Sequence, residues 1–398
     1  MKKLLLATAV GALATSAAFA ENHGAGAKIG VILGFTGPIE SITPNMATSA
    51  EMAIKEVNDS GMFMDGMMIE AVRADSTCVD AAAATAAAER LVTTDGVVGI
   101  MGADCSGVTG AILSNVAVAN GIPMISPSAT SPALSTAEDN GLFFRTAPSD
   151  ARQGEVMAQV LADKGVTSVA VTYTNNDYGK GFADAFTAAF EATGGSVTAT
   201  VPHEDGKADY SAEVGSLASA GGDALVVLGY ADQGGKGMIQ ASLDTGAFDT
   251  FVMGDGMYSD ALLADIGSGL DGSYGTLPGT EGEAAEAFAA LAEAAGFDAS
   301  SSYTRESYDA AALLILAMAK GGEATGASIA ANVMDVANAP GEPILPGELG
   351  KALELIAAGT DIDYVGASNV ELVGPGEAAG TYQEYEVVDG AYSTVGYR

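Results

Sequence analysis

From Lys28 onward, apolar positions fall into short strand-like runs separated by stretches with helical spacing. Residues 28–33 form a near-continuous apolar run suited to a buried strand. Ala50, Ala53, Ile54 and Val57 then recur at i, i+3, i+4 and i+7, which predicts a helix over 47–58. Strand runs at 69–75, 97–101 and 123–126 alternate with helical patterns at 81–92 and 107–120. Strands that alternate with helices imply a parallel sheet covered on both faces.

The alternation restarts after Arg145-Thr146-Ala147-Pro148. Helices are predicted over 150–164, 182–192, 210–220 and 237–243, and strands over 169–173, 196–201, 224–228 and 251–253. Three more helical stretches follow at 283–295, 307–320 and 328–338. The tail alternates over 381–388 and 391–397 around Asp389-Gly390, a hairpin signature. The fold class is therefore α/β, with two consecutive doubly wound parallel-sheet units. The most apolar helical stretch, 310–319, is too short for the ~20 residues a membrane span needs. It is expected to be a buried helix.

The ends and composition narrow the class. Lys2 and Lys3, an apolar segment over 4–13 and Ala18-Phe19-Ala20 form a secretory signal with cleavage before Glu21. No Cys follows the cleavage site, so a free periplasmic protein is expected rather than a lipid-anchored one. Removing twenty residues from 398 leaves 378, enough for two domains. The net charge is −35, and −37 without the two leader lysines. That field repels nucleic acid and anionic membranes. The acids are dispersed, which fits a solvated surface in a salty medium, or a compositional bias of the lineage. Cys78 and Cys105 are the only cysteines. An even pair in an exported chain reads as one disulfide, with two buried thiols as the alternative. His23 and His203 are the only histidines and neither lies near a cysteine in sequence, so no metal site and no cofactor are expected.

In open parallel sheets ligands sit beyond the carboxyl ends of the strands. Two such loops are rich in hydroxyls. Ser106 precedes Gly107 and a helix, and Thr130 precedes Ser131-Pro132, a cap with Pro at the first helical position. Free N–H groups and hydroxyls at a helix start suit a carboxylate, although ordinary capping gives the same pattern. Asp255 lies between two glycines after an apolar strand, where it could hold an ammonium or simply serve a turn. Tyr178 and Tyr230 sit on predicted strand-end loops, as pocket walls or as packing. Enzyme signatures fail. The G-x-G-x-x-G at 267–272 follows a helical stretch, the Gly229–Lys236 segment lacks phosphate-loop spacing, and there is no G-x-S-x-G.

Together these motifs resemble the type I periplasmic binding proteins of the leucine/isoleucine/valine-binding family. The resemblance rests on Gly37-Pro38-Ile39, on Cys78 and Cys105-Ser106, and on the run from Met124 to Pro132. Asp177-Tyr178-Gly179-Lys180-Gly181 and Met253-Gly254-Asp255-Gly256 add to it. It implies two lobes joined by three crossovers that close on a ligand like a hinge. The crossovers would fall near 145–148, 274–279 and 372–376. The first lobe would then comprise 27–146 and 278–373, and the second 147–277 and 374–398. Each lobe is then discontinuous, unlike the two consecutive units that residue order alone predicts.

The resemblance also assigns a site. Ser106 would hold a ligand carboxylate. The loop of Ser128, Ala129 and Thr130 would supply a carbonyl and a hydroxyl. Asp255 would pair with an α-ammonium, and Tyr178, Tyr230 and Tyr308 would line the cleft. Ile42 stands where a well-known member of the family has an aromatic residue, and Asp255 is one methylene shorter than the more usual Glu. Both departures bear on the ligand side chain. The implied function is the substrate-binding component of an ABC importer for a neutral or branched-chain amino acid. Its partners would be that ligand and a membrane permease, with the protein acting as a monomer and binding no nucleic acid. Capture of an amide, a urea-like compound or an aromatic acid is the alternative within the fold. A ligand-sensing receptor module and a secreted hydrolase are rivals of other classes.

Overall fold

The computed structural model describes residues 26–398; the predicted leader, its cleavage site and His23 lie outside the described residues. The first five strands are β1 (Ala27–Leu33), β2 (Ile69–Asp75), β3 (Gly99–Gly102), β4 (Met124–Ser126) and β5 (Phe143–Arg145). They alternate with helices and pair in parallel in the spatial order 2-1-3-4-5. The next five are β6 (Ser168–Thr174), β7 (Ser196–His203), β8 (Ala224–Leu228), β9 (Phe251–Met253) and β10 (Tyr274–Pro278). They repeat the pattern as 7-6-8-9-10. Each sheet thus reverses its order beside its first strand, and the crevice at such a reversal is where doubly wound folds bind ligands.

The chain then returns. β11 (Glu342–Ile344) and β12 (Ile362–Tyr364) form a small parallel pair. β13 (Leu372–Val373) and β14 (Glu377–Ala378) extend the first sheet beside β5. β15 (Tyr382–Val388) and β16 (Ala391–Tyr397) close the second sheet as an antiparallel hairpin on β10. The hairpin turns at Asp389 and Gly390, both with positive φ, as the Asp-Gly pair predicts. Two consecutive units are therefore overturned: both sheets are completed by late segments. The last passage between sheets falls after Ala378, beyond the expected boundary at 373/374.

Helix Thr304–Gly321 explains why the first sheet needs residues so far along the chain. Every residue from Ala310 to Met318 is fully buried, packed with helix Thr43–Ser60 and against β3 and β4. Each fully buried Leu or Ile here contributes about 1.5–3 kcal/mol relative to exposure. The predicted buried helix is thus part of the first lobe's core, and among the described residues no helix is long and apolar enough to cross a membrane. Helix Thr43–Ser60 turns Ala50, Ala53, Ile54 and Val57 inward, which is the predicted stripe, and extends it to Met46.

Candidate ligand-binding cleft

The loops at the carboxyl ends of both sheets face each other across a cleft. From the first lobe come Ile39, Ile42, Asp104, Cys105, Ser106, Ser128 and Tyr303; from the second come Tyr178, Tyr230, Asp255 and Gly256. They line a small cavity of about 20 Å³, so the two walls lie close together here. The lobes touch around it. Ser41 N donates to Asp232 (2.8 Å), Asp232 N donates to the Pro38 carbonyl (3.1 Å), and Ser131 Oγ donates to the Asp177 carbonyl (3.1 Å).

On the first lobe, Cys78 and Cys105 are joined in a disulfide with Cα atoms 5.1 Å apart. The bridge ties the loop after β2 to the loop after β3, directly before Ser106. Ser106 opens a helical run that continues to Asn120, and no side chain caps its first turn. The Ser106 hydroxyl accepts from Ser131 N at 3.1 Å, linking the two hydroxyl loops. Ser128 Oγ donates to the Asp104 carbonyl, and Ala129 N donates to Ser126 Oγ. Thr130 is completely buried, and its hydroxyl faces the Asp150 carboxyl without closing a hydrogen bond. Ser131 does cap the turn Pro132–Thr136, as its sequence context predicts.

On the second lobe, Asp255 is 2% exposed. Its Oδ1 accepts from the Tyr178 hydroxyl at 3.0 Å, and its Oδ2 accepts from the Tyr303 hydroxyl of the opposite lobe. The flanking glycines are required by close approach. A Cβ on Gly256 would lie 2.6 Å from the Gly229 carbonyl oxygen, and one on Gly254 2.9 Å from the Phe182 ring. Tyr178 and Tyr230 stack with centroids 5.2 Å apart, forming one wall. Tyr178 lies in the first turn of helix Asp177–Ala192 rather than on a loop, because Asn176 caps that helix by accepting from Gly179 N.

The electrostatics centre on two acids. Burial pushes the Asp255 carboxyl above its ordinary range, against the Tyr178 hydrogen bond that pulls it down. Burial and the Asp255 charge together push Asp150 well above that range, with Arg145 opposing. Asp150 is fully buried and neither carboxylate oxygen has a hydrogen-bond partner. Two neighbouring buried acids with few donors favour a cation or a shared proton between them.

Of the expected site residues, the structure brings Ser106, Ser128, Tyr178, Tyr230, Asp255 and Ile42 to one cavity; Ala129 and Thr130, next in the chain after Ser128, are fully buried and do not line it. Tyr308 is a correction. It is fully buried in the first lobe, its hydroxyl bonded to Glu56 and accepting from Gly347 N, with Phe288 against its ring. It lies one turn further into the core than Tyr303, which takes the pocket position. Tyr303 precedes helix Thr304–Gly321 in a left-handed conformation (φ 62°) that turns its ring out of the helix direction. Predicting that helix from Ser307 hid the residue. Asp150 was also missed, because an acid directly after Ser149 reads as helix-start chemistry.

Residues 26–347 match the family model described as periplasmic binding protein. The chemotactic signal transduction system substrate-binding protein BasB of Halobacterium salinarum is 28% identical over 382 residues, 92% of this chain and 88% of that one. Leu/Ile/Val-binding protein homolog 3 of Brucella melitensis is 32% identical over 271 residues, 67% of this chain and 71% of that one. The leucine-binding protein LivK of Thermotoga maritima shares the fold with a TM-score of 0.78 at 22% identity, covering 93% of this chain and 98% of its own. Two doubly wound lobes around a shared cleft define a substrate-binding protein of the periplasmic type. This chain belongs to the periplasmic binding protein family, among its leucine/isoleucine/valine-binding members.

Proposed function

We propose that this protein is the periplasmic substrate-binding component of an ABC importer and captures a neutral or branched-chain amino acid by closing its lobes. One observation carries the proposal. Hydroxyl loops on one lobe and a buried carboxylate on the other line the same pocket. A zwitterion satisfies both walls only when they meet, so its two ends drive closure. Ser106 and the uncapped helix start beside it hold the carboxylate. Asp255 and Thr130 hold the ammonium. Ile39 and Ile42 give the side-chain end an apolar floor, consistent with an aliphatic group. The protein acts as a monomer that hands its ligand to a membrane permease and performs no chemistry on it. Isothermal titration of the mature protein against L-leucine, L-isoleucine, L-valine and L-alanine tests this. Binding of at least one with a 1:1 ratio is expected; no heat with any of the four, in a folded protein, overturns the reading.

A second reading rests on a different observation. Tyr178 and Tyr303 already donate to both oxygens of Asp255. A ligand without a cationic nitrogen, such as an amide, a urea-like compound or an aromatic acid, would leave those bonds intact. The same titration against benzoate and acetamide separates the two readings.

A further inference from the structure

We propose that Arg145 is a positioning residue that couples the hinge to the ligand-facing loop; this rests on Thr130 being part of the ligand site. Arg145 ends β5, where the chain first leaves the first lobe, and its side chain is 1% exposed. Nη1 donates to the carbonyls of Ala129 and Ser131, each at 3.0 Å. Nη2 donates to Ser135 Oγ at 2.7 Å and to Glu377 at 2.5 Å. The carbonyl between the two that Nη1 holds, that of Thr130, accepts from Asp150 N at 2.9 Å. Three consecutive carbonyls of the ligand loop are therefore held by the segment 145–150, which is the first crossing between lobes.

The far side of the guanidinium completes the link. Glu377 lies in β14, the last strand before the third crossing, and β14 pairs with β5 at Arg145 itself. One side chain thus touches the first crossing, the third crossing and the peptide units on both sides of Thr130. A rotation that moves the crossings against each other moves the frame that aims the Thr130 hydroxyl. Arginine suits this because its planar fork reaches carbonyls on one edge and a carboxylate on the other, whereas an ammonium is a point donor. Burying a charge for packing alone is costly. Here four acceptors surround two nitrogens, and only Nε has no partner.

The test is a double-mutant cycle on the full mature protein, joined to hydrogen exchange without ligand. With L-leucine as probe, Arg145→Lys should weaken binding at least tenfold in the Thr130 protein. In the Thr130→Val protein it should cost less than twofold, because the aimed hydroxyl is gone. Equal losses in both backgrounds would make Arg145 a structural residue and overturn the proposal. If Thr130→Val alone leaves L-leucine affinity unchanged, the reading of the ligand site fails instead. The exchange arm does not depend on the ligand. In Arg145→Lys, peptides covering 126–136 and 373–382 should lose protection together; loss confined to one of them refutes the coupling. Should Arg145→Lys not fold, Glu377→Ala keeps the guanidinium and removes its hinge partner. It should reproduce the joint loss of protection and a threefold or greater loss of affinity that vanishes with Thr130→Val.

Discussion

Tyr303 of the first lobe donates its hydroxyl to Oδ2 of Asp255 on the second, making a buried hydrogen bond across the cleft between the lobes. The bond has two consequences. It supplies a buried carboxylate with a second donor, and it holds the lobes together beside the pocket. Hydrogen bonds to a charged group contribute about 1.5–3 kcal/mol. Removing the hydroxyl while keeping the ring should therefore shift the protein toward its open form. Tyr303→Phe is expected to show a larger radius of gyration than the wild type in ligand-free X-ray scattering. The two should converge on the same smaller value when saturated with ligand. Identical ligand-free radii would mean that the bond does not bias closure.

Asp255 itself faces the harder test. Losing one member of a buried, hydrogen-bonded charge pair costs about 2–5 kcal/mol of binding. Asp255→Asn should thus weaken amino-acid binding by well over tenfold in isothermal titration. Its ligand-free melting temperature at pH 7.5 should not fall, because the substitution also relieves repulsion from the buried Asp150 carboxyl. Retained affinity would point to a ligand without a cationic nitrogen.

The sequence carried the strands and the chemistry better than the connectivity. β2, β8 and β9 occupy the residues predicted for them, because buried apolar runs bounded by turn residues are local signals. β5 and β10 were missed: each is short, and each sits where the chain crosses between lobes, with Arg145 or Pro278 at its end. The helix Leu349–Ala357 and strands β11 to β14 were missed within a Pro- and Gly-rich stretch that has no long periodic run. Discontinuous lobes came only from family resemblance, since nothing local in Thr304–Gly321 says which sheet it will cover. In the site, Asp255, Tyr178 and Tyr230 stood on strand-end segments and drew notice in the sequence, whereas Tyr308 was taken for Tyr303. Asp150 and Arg145 were not, because their roles depend on carbonyls and acids brought close only by the crossings.

The disulfide joins the loops after β2 and β3, across a separation of 27 residues. On the chain-entropy model a loop of that length gives about 3–4 kcal/mol of stabilisation. Cys78→Ser with Cys105→Ser should lower stability by that amount in urea unfolding. Binding should also weaken, because Cys105 sits directly before Ser106. Mass spectrometry of the unreduced mature protein should find no alkylatable thiol; two labelled cysteines in native protein would count against the bridge.

Acid pH should weaken capture of an ammonium-bearing ligand. The folded-state pKa values of Asp255 and Asp150 are both raised by burial. Ligand-free protein therefore binds more protons than the unfolded chain between the ordinary carboxylate range and the raised values. Stability from this pair is fully present below the ordinary range and is lost as pH rises through the raised values. An ammonium needs the ionised form, so its binding releases a proton wherever the pair still holds one. Affinity should rise with pH through the raised values and level off above them. His203 works the other way on stability. Burial lowers its pKa from 6.5 to about 4. Its contribution is present above pH 6.5 and falls by roughly 3 kcal/mol as pH drops through 4. Melting temperature alone mixes the two trends. The difference between wild type and Asp255→Asn cancels the histidine. The variant should be the more stable at pH 7.5, with the gap closing toward pH 4.5. Titration in two buffers of different ionisation enthalpy, at pH 5.5, should also show proton release on binding. A gap that stays constant with pH, or binding heats that do not depend on the buffer, would show that the pair is ionised throughout.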